Sequence, residues 1–297
     1  MRCNIMNRIR KRLLFLFLVC IAMGILNIGC SDEATPESDD KILKPVAENV
    51  IGKWSMKESY KKLDGKWVED PIPEGQGQTY TIRTDGTVLS AFTAPDGYTK
   101  LNLGEWETDE AANKLTLGTM TVDVLSLNAT SFEMGYGEAL DAETGELMDG
   151  EFRWKYSRMD ETQKTLAEKL IGKWNYSKSY EKINGEWVEI HSGMQDEGWF
   201  LGETDILFCE DGSSTVYARF GEHERTLSMY WRVNNATGEL RMVTKDGQTM
   251  ELNVAIGVDG TLSVFYNLEL STGQTVTREF KNVLIRCCLL YTSPSPR

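Results

Sequence analysis

The chain has 297 residues, 41% hydrophobic and 26% charged, enough apolar material for a packed core but not for a multi-span membrane protein. Its 45 acidic residues against 32 lysines and arginines give a formal charge of -13, which excludes a broad nucleic-acid surface. Six cysteines are too few for a disulfide scaffold, and only two histidines, His191 and His223, are available for catalysis or metal binding.

Residues 1–29 read as a secretory signal peptide. Met1 to Arg12 carries five cations and no acid, and Leu13 to Gly29 is an apolar run of 17 residues ending at Cys30. Met6 would serve equally as a start. An uncleaved single-span anchor is the alternative, at the short limit for crossing a bilayer. Leu26-Asn27-Ile28-Gly29-Cys30 resembles the lipobox of bacterial lipoproteins. That resemblance implies that Cys30 is the lipid-attachment residue and that acyl chains hold the mature protein on a membrane, at about 0.8 kcal/mol per buried methylene. Ser31-Asp32-Glu33 resembles the acidic export signal of surface lipoproteins of the Bacteroidota, which implies an outer-membrane location and surface display. Loss of the five leader cations takes the charge from -13 to -18. Residues 30–45, acylated at Cys30 and then rich in Ser, Asp, Glu and Pro, read as a flexible tether of at most about 50 Å.

From Val46 to Glu69 the sequence repeats at Leu166 to Glu189 with a constant offset of 120, and thirteen of the twenty-four positions are identical. Shared text includes Ile-Gly-Lys-Trp (51–54, 171–174), Ser-Tyr (59–60, 179–180) and Gly-x-Trp-Val-Glu (65–69, 185–189). Beyond it only landmarks persist: Asp85-Gly86 with Asp211-Gly212, Trp106 with Trp231, Arg158 with Arg286. This is a tandem duplication, each copy long enough for its own core. The expected domains are 46–159 and 166–287, joined by the polar residues 160–165.

Within each copy apolar residues alternate over short runs broken by turn residues, the pattern of antiparallel strands. Trp54, Met56 and Tyr60 are expected on one face of the first strand, as are Trp174, Tyr176 and Tyr180. Phe132, Met134 and Tyr136, then Phe152, Trp154 and Tyr156, continue the alternation. The second copy uses Leu227, Met229, Trp231 and Val233, then Leu262, Val264, Tyr266 and Leu268. Phase slips at Leu103–Gly104 and Val124–Leu125 predict bulges. Helix is expected only as a turn at Val46–Ile51 and at Leu166–Ile171. The fold class is therefore all-β, with two tandem eight-stranded antiparallel up-and-down barrels expected and a two-sheet sandwich as the competing architecture.

A helical turn, Gly-x-Trp opening the first strand, meandering strands and an arginine on the last strand together resemble the lipocalin and lipocalin-like proteins. The resemblance covers residues 46–159 and 166–286. It implies that an arginine closes over the tryptophan at each barrel base, Arg158 over Trp54 and Arg286 over Trp174. Arg158 is in phase with Phe152, Trp154 and Tyr156 and is expected to point inward. Interior aromatics Tyr136, Trp154, Trp231 and Tyr266 are the candidate ligand-binding residues, or equally the filling of the core. Trp67 and Trp187, beside turns, either stack on a sugar or protein partner or pack over the barrel end.

No Gly-x-Ser-x-Gly, His-Glu-x-x-His, Cys-x-x-Cys or phosphate-binding loop occurs, so no catalytic residue, metal site or cofactor is expected. Asp141, Glu143, Glu146, Asp149 and Glu151 read as a solvated acidic hairpin, without the spacing of a calcium loop. Cys209 and Cys287 are expected as free thiols. Residues 288–297 resemble a translated sequencing adaptor, with a genuine disordered tail as the alternative, and are expected to lie outside the fold. The leading expectation is a lipid-anchored outer-membrane protein binding a small apolar or amphipathic ligand. The alternative is a non-enzymatic module with filled barrels that recognises a protein or glycan partner through its loops.

Overall fold

The computed structural model describes residues 42–140, 147–190, 203–220, 223–271 and 275–287. Cys30 and the lipobox, the acids Asp141, Glu143 and Glu146, His191, and residues 288–297 lie outside the described residues, so those expectations have no structural counterpart. The described chain is all-β, with eighteen strands and two short helices, α1 (Val46–Asn49) and α2 (Leu166–Leu170).

Antiparallel pairing closes the sheet into a barrel. In the first repeat the strands are β1 (Gly52–Leu63), β2 (Lys66–Glu69), β3 (Gly77–Ile82), β4 (Thr87–Thr93), β5 (Tyr98–Asp109), β6 (Lys114–Leu117), β7 (Met120–Leu127), β8 (Ser131–Leu140) and β9 (Leu147–Met159). β1 pairs with β3 on one side and β9 on the other, while β3 to β9 each pair with the next. The second repeat comprises β10 (Gly172–Ile183), β11 (Glu186–Ile190), β12 (Glu203–Phe208), β13 (Ser213–Phe220), β14 (His223–Asn234), β15 (Glu239–Thr244), β16 (Thr249–Ile256), β17 (Leu262–Ser271) and β18 (Thr275–Arg286). β10 pairs with β12 and β18, and β12 to β18 pair in succession.

Each repeat thus has nine strands where eight were expected. The addition is β2, or β11, a short strand that forms a hairpin with the far half of the long first strand. Asp64 and Asn184 take positive φ at these turns, followed by Gly65 and Gly185. This paired Asx-Gly conformation reverses the chain in two residues.

A second departure concerns facing. Register slips between Met56 and Glu58 and between Tyr176 and Lys178 insert one residue into the first strand of each repeat. A bulge reverses the alternation beyond it, so buried Ser59 and Ser179 take the inner phase. Tyr60 and Tyr180 turn outward instead of joining Trp54 and Trp174. The slip expected near Val124 occurs between Val124 and Ser126, but register runs unbroken through Leu103 and Gly104.

The two repeats meet through an apolar face and a set of polar clamps. Leu89, Ala91 and Leu101, on the outer face of β4 and β5, share a buried cluster with Ala167, Leu170, Val233 and Leu240 of the second repeat. Beside them β5 pairs with β14 at Thr99–Val233 and Tyr98–Asn234. Asn235 bridges the seam, donating to Thr99 Oγ1 at 2.6 Å and accepting from the Ala167 amide at 3.0 Å. Arg83 grips Glu210 with two hydrogen bonds of 2.8 and 2.7 Å.

Deepest is Lys53 with Glu168, at 2.7 Å, with side chains only 2% and 7% exposed. Lys53 also donates to the Gln163 carbonyl at 2.6 Å. Glu168 completes a capping box by accepting from the Thr165 amide at 2.7 Å. Losing one partner of such a pair strands a buried charge. Lys53→Met should therefore lower stability by about 3 kcal/mol, and adding Glu168→Leu should return part of that loss. Urea unfolding of both single variants and the double variant measures both effects; a double-variant loss equal to the sum of the two single losses would mean that the pair is not coupled.

Candidate functional site

The tryptophan at the head of each repeat is fully buried, and its indole N–H donates 2.7 Å back to the helical turn, Trp54 to the Val50 carbonyl and Trp174 to that of Leu170. The Arg158 guanidinium lies 4.2 Å from the Trp54 ring centre and that of Arg286 4.7 Å from Trp174. Arg158 also donates to the carbonyls of Ala129, Ile51 and Asn49 at 2.7–2.8 Å, and Arg286 donates to that of Lys169. Each arginine pairs in register with its tryptophan and lies over that ring, so Arg158 takes the inner phase expected of it, at the end of the sheet. Both are exposed, laid across the end of the sheet, because loop and helix-end carbonyls there satisfy the guanidinium that an apolar interior would leave unpaired. In the first repeat the glycine of Gly-x-Trp also answers to this closure. Gly52 has φ 133, and a Cβ there would collide with the Arg158 guanidinium.

The four interior aromatics do not form one site. Trp231 is buried edge-on against Phe208, with ring centres 5.0 Å apart, and its indole donates to the Cys209 carbonyl at 3.3 Å. Tyr266 is buried and stacked on Phe280 at 5.6 Å. Tyr136 and Trp154 are partly exposed and stack at 6.2 Å, with Phe152 continuing the stack. Below them Trp54, Phe132, Tyr156 and Tyr80 touch in sequence at 5.6–5.9 Å. These rings occupy the interior of the first repeat.

Outside, the repeated hairpins carry matching aromatic and cationic stripes. Arg153 lies 4.2 Å over Trp67, and Lys155 lies 5.6 Å over Tyr60. In the second repeat Lys281 lies 4.4 Å over Tyr180 and 5.1 Å over Trp187. Glu151, from the expected acidic hairpin, pairs with Lys62 at 2.8 Å. Trp67 and Trp187 are half-buried beneath these cations.

Two clefts open on the second repeat. One, of about 520 Å³, lies beside the Trp174–Arg286 closure and reaches Lys164, Lys169 and Asp259. The other, of about 480 Å³, lies where β10 and β12 part, and includes Lys173, Asp205, Tyr217 and Arg219. None of Tyr136, Trp154, Trp231 or Tyr266 lines either cleft. Sequence reasoning passed over Tyr217, although one signal was present, a large ring in the solvent phase between buried Val216 and Ala218. Cys209 and Cys287 are free thiols. Among the described residues no group of three or more His, Cys, Asp or Glu is gathered to hold a metal ion.

Burial, with the Glu58 carboxylate accepting from its hydroxyl at 2.7 Å, pushes Tyr60 up to about 12. Burial also raises Tyr80, Tyr156 and Tyr266. The folded chain keeps these protons at pH values where the unfolded chain has lost them. The associated stability is complete below pH ~10 and is lost as pH rises toward ~12. Tyr60→Phe should flatten part of that decline in urea unfolding between pH 10 and 12. An unchanged decline would place Tyr60 outside the linkage. Arg158→Ala should cost about 2 kcal/mol by removing the ring contact and its carbonyl bonds. Thermal unfolding followed by tryptophan fluorescence measures it, with Arg158→Lys falling between.

The chain matches no protein-family model and no curated protein sequence, which leaves this geometry as the basis for function.

Proposed function

We propose that the chain is a lipid-anchored outer-membrane protein of two tandem eight-stranded lipocalin-like barrels, non-enzymatic, that recognises its partner through its outer surface. The single observation that carries this reading is the ring sequence inside the first repeat, where Trp54, Phe132, Tyr156 and Tyr80 pack centre to centre at 5.6–5.9 Å. A barrel of eight strands has room for its own side chains or for one small ligand. Rings packed edge-on and tilted against one another take that room. The buried pairs Phe208–Trp231 and Tyr266–Phe280 support the same assignment in the second repeat. The symmetric pairings of β1 and β10 with their own meanders support two barrels, and Cys30 after its apolar run supports the anchor.

A second reading, a carrier of an apolar ligand, draws on one observation. Partly exposed Tyr136 and Trp154 lie on the same repeat as exposed Leu63 and Val68, whose side chains share a phase with Lys61 and Phe152. Native mass spectrometry of the full chain from a bacterial membrane extract separates the two. Polypeptide plus acyl groups alone is expected. A reproducible small-molecule adduct that is lost on unfolding would replace surface recognition with carriage. Cys30→Ser should move the protein from the membrane to the soluble fraction, and retention on the membrane would remove the anchor.

A further inference from the structure

The duplication gives every surface of the first repeat a counterpart in the second, and strand register fixes the equivalences. Trp54 faces Tyr80 as Trp174 faces Ile206, and Tyr80 faces Ser90 as Ile206 faces Val216. Leu89 and Ala91 therefore correspond to Thr215 and Tyr217. Ser90 faces Asn102 as Val216 faces Leu227, which sets Leu101 against Thr226. In the first repeat this face is the junction, with Leu89, Ala91 and Leu101 only 4%, 5% and 1% exposed. In the second repeat its counterpart is open. Tyr217 is 43% exposed there, at the side of the cleft of about 480 Å³.

The exchange of apolar for polar residues stops a third barrel from docking as the second does on the first. It does not account for a tyrosine where alanine sits in the covered copy. Around that ring the cleft is built from paired charges: Arg219 with Glu203 at 3.1 Å and Glu224 at 3.0 Å, and Lys173 with Asp205 at 3.9 Å. With Arg225, the lining carries three cations and three carboxylates. A charged ligand would meet like and opposite charge in equal number. A neutral ligand rich in hydroxyls, each a donor and an acceptor, suits both kinds of group at once. An exposed phenol ring offers a flat apolar surface to the C–H face of a pyranose. The volume is within the range of small-molecule sites.

We propose that this cleft is a binding site for a neutral saccharide, with Tyr217 as stacking platform and Arg219, Glu203 and Glu224 as hydrogen-bonding rim. The inference rests on the surface-recognition reading above and gives it one address. Isothermal titration of the full chain with cellohexaose, xylohexaose, mannohexaose and maltohexaose tests it, alongside Tyr217→Ala, Tyr217→Phe and the double variant Trp67→Ala/Trp187→Ala. Binding of at least one sugar is expected, weakened at least about tenfold by Tyr217→Ala and retained by Tyr217→Phe and by the double variant. Tyr217 is exposed, so circular dichroism of Tyr217→Ala should match that of the parent. No binding up to about 10 mM of any of the four sugars overturns the site. Binding that survives Tyr217→Ala overturns it too; if the double variant abolishes that binding, surface recognition stands and moves to the hairpin stripes. Failure of surface recognition itself would show instead as the interior adduct in native mass spectrometry.

Discussion

The arrangement of the two repeats depends on one buried ion pair, Lys53 with Glu168. Lys53 belongs to the Gly-Lys-Trp segment that opens the first strand, and Glu168 to the helical turn that supplies the carbonyl for Trp174. Each charge is taken from water, so each depends on the other and on the Gln163 carbonyl and Thr165 amide for compensation. The same carboxylate thus caps the second helix and holds the first strand. Moving one repeat against the other would strand a charge, uncover Leu101 and break the β5–β14 bonds together. Such coupled losses favour a fixed junction over a flexible link.

That constraint separates two roles that the duplicated sequence writes in one hand. Lys173 occupies the position of Lys53, yet it is part exposed and faces Asp205 at 3.9 Å instead of a buried glutamate. Among the described residues no helix packs on this second copy of the latch. It stands at the open cleft, across from Asp205. Identical residues at equivalent positions therefore do different work, one set by burial and the other by exposure.

Much of the fold was legible in the sequence because it is governed by local chemistry. Asp85 and Asp211 fold their turns by accepting from the amide and hydroxyl two residues on, and the glycines that follow take positive φ. The Trp–Arg contacts were expected from the lipocalin resemblance, which the recurrence of both members at matched positions carried. Side-chain facing was less accessible. The single-residue bulges leave no mark on the apolar pattern, since Tyr60 and Tyr180 are amphipathic and fit either face, packed inward or covered outward by lysine. The extra strands β2 and β11 were hidden for a related reason. The Gly-x-Trp-Val-Glu text was visible, but its alternation does not show that it folds back on the strand before it.

The junction was invisible for a different reason, and the candidate cleft with it. Leu89, Ala91 and Leu101 sit on the outer phase of β4 and β5, where alternation alone reads them as surface residues or as a broken pattern. Only the presence of the second repeat gives them a buried environment. Divergence between the copies, strongest beyond the opening twenty-four residues, is then what the geometry requires. The helical turn and first tryptophan form a base in both repeats and stay alike, whereas the β4–β5 wall is covered once and open once, so its residues answer to different solvents. Leu101 against Thr226 follows from that difference. Ala91 against Tyr217 exceeds it, because an open wall needs polarity, not a ring exposed over 43% of its surface. That excess makes Tyr217 a candidate for contact with something outside the chain.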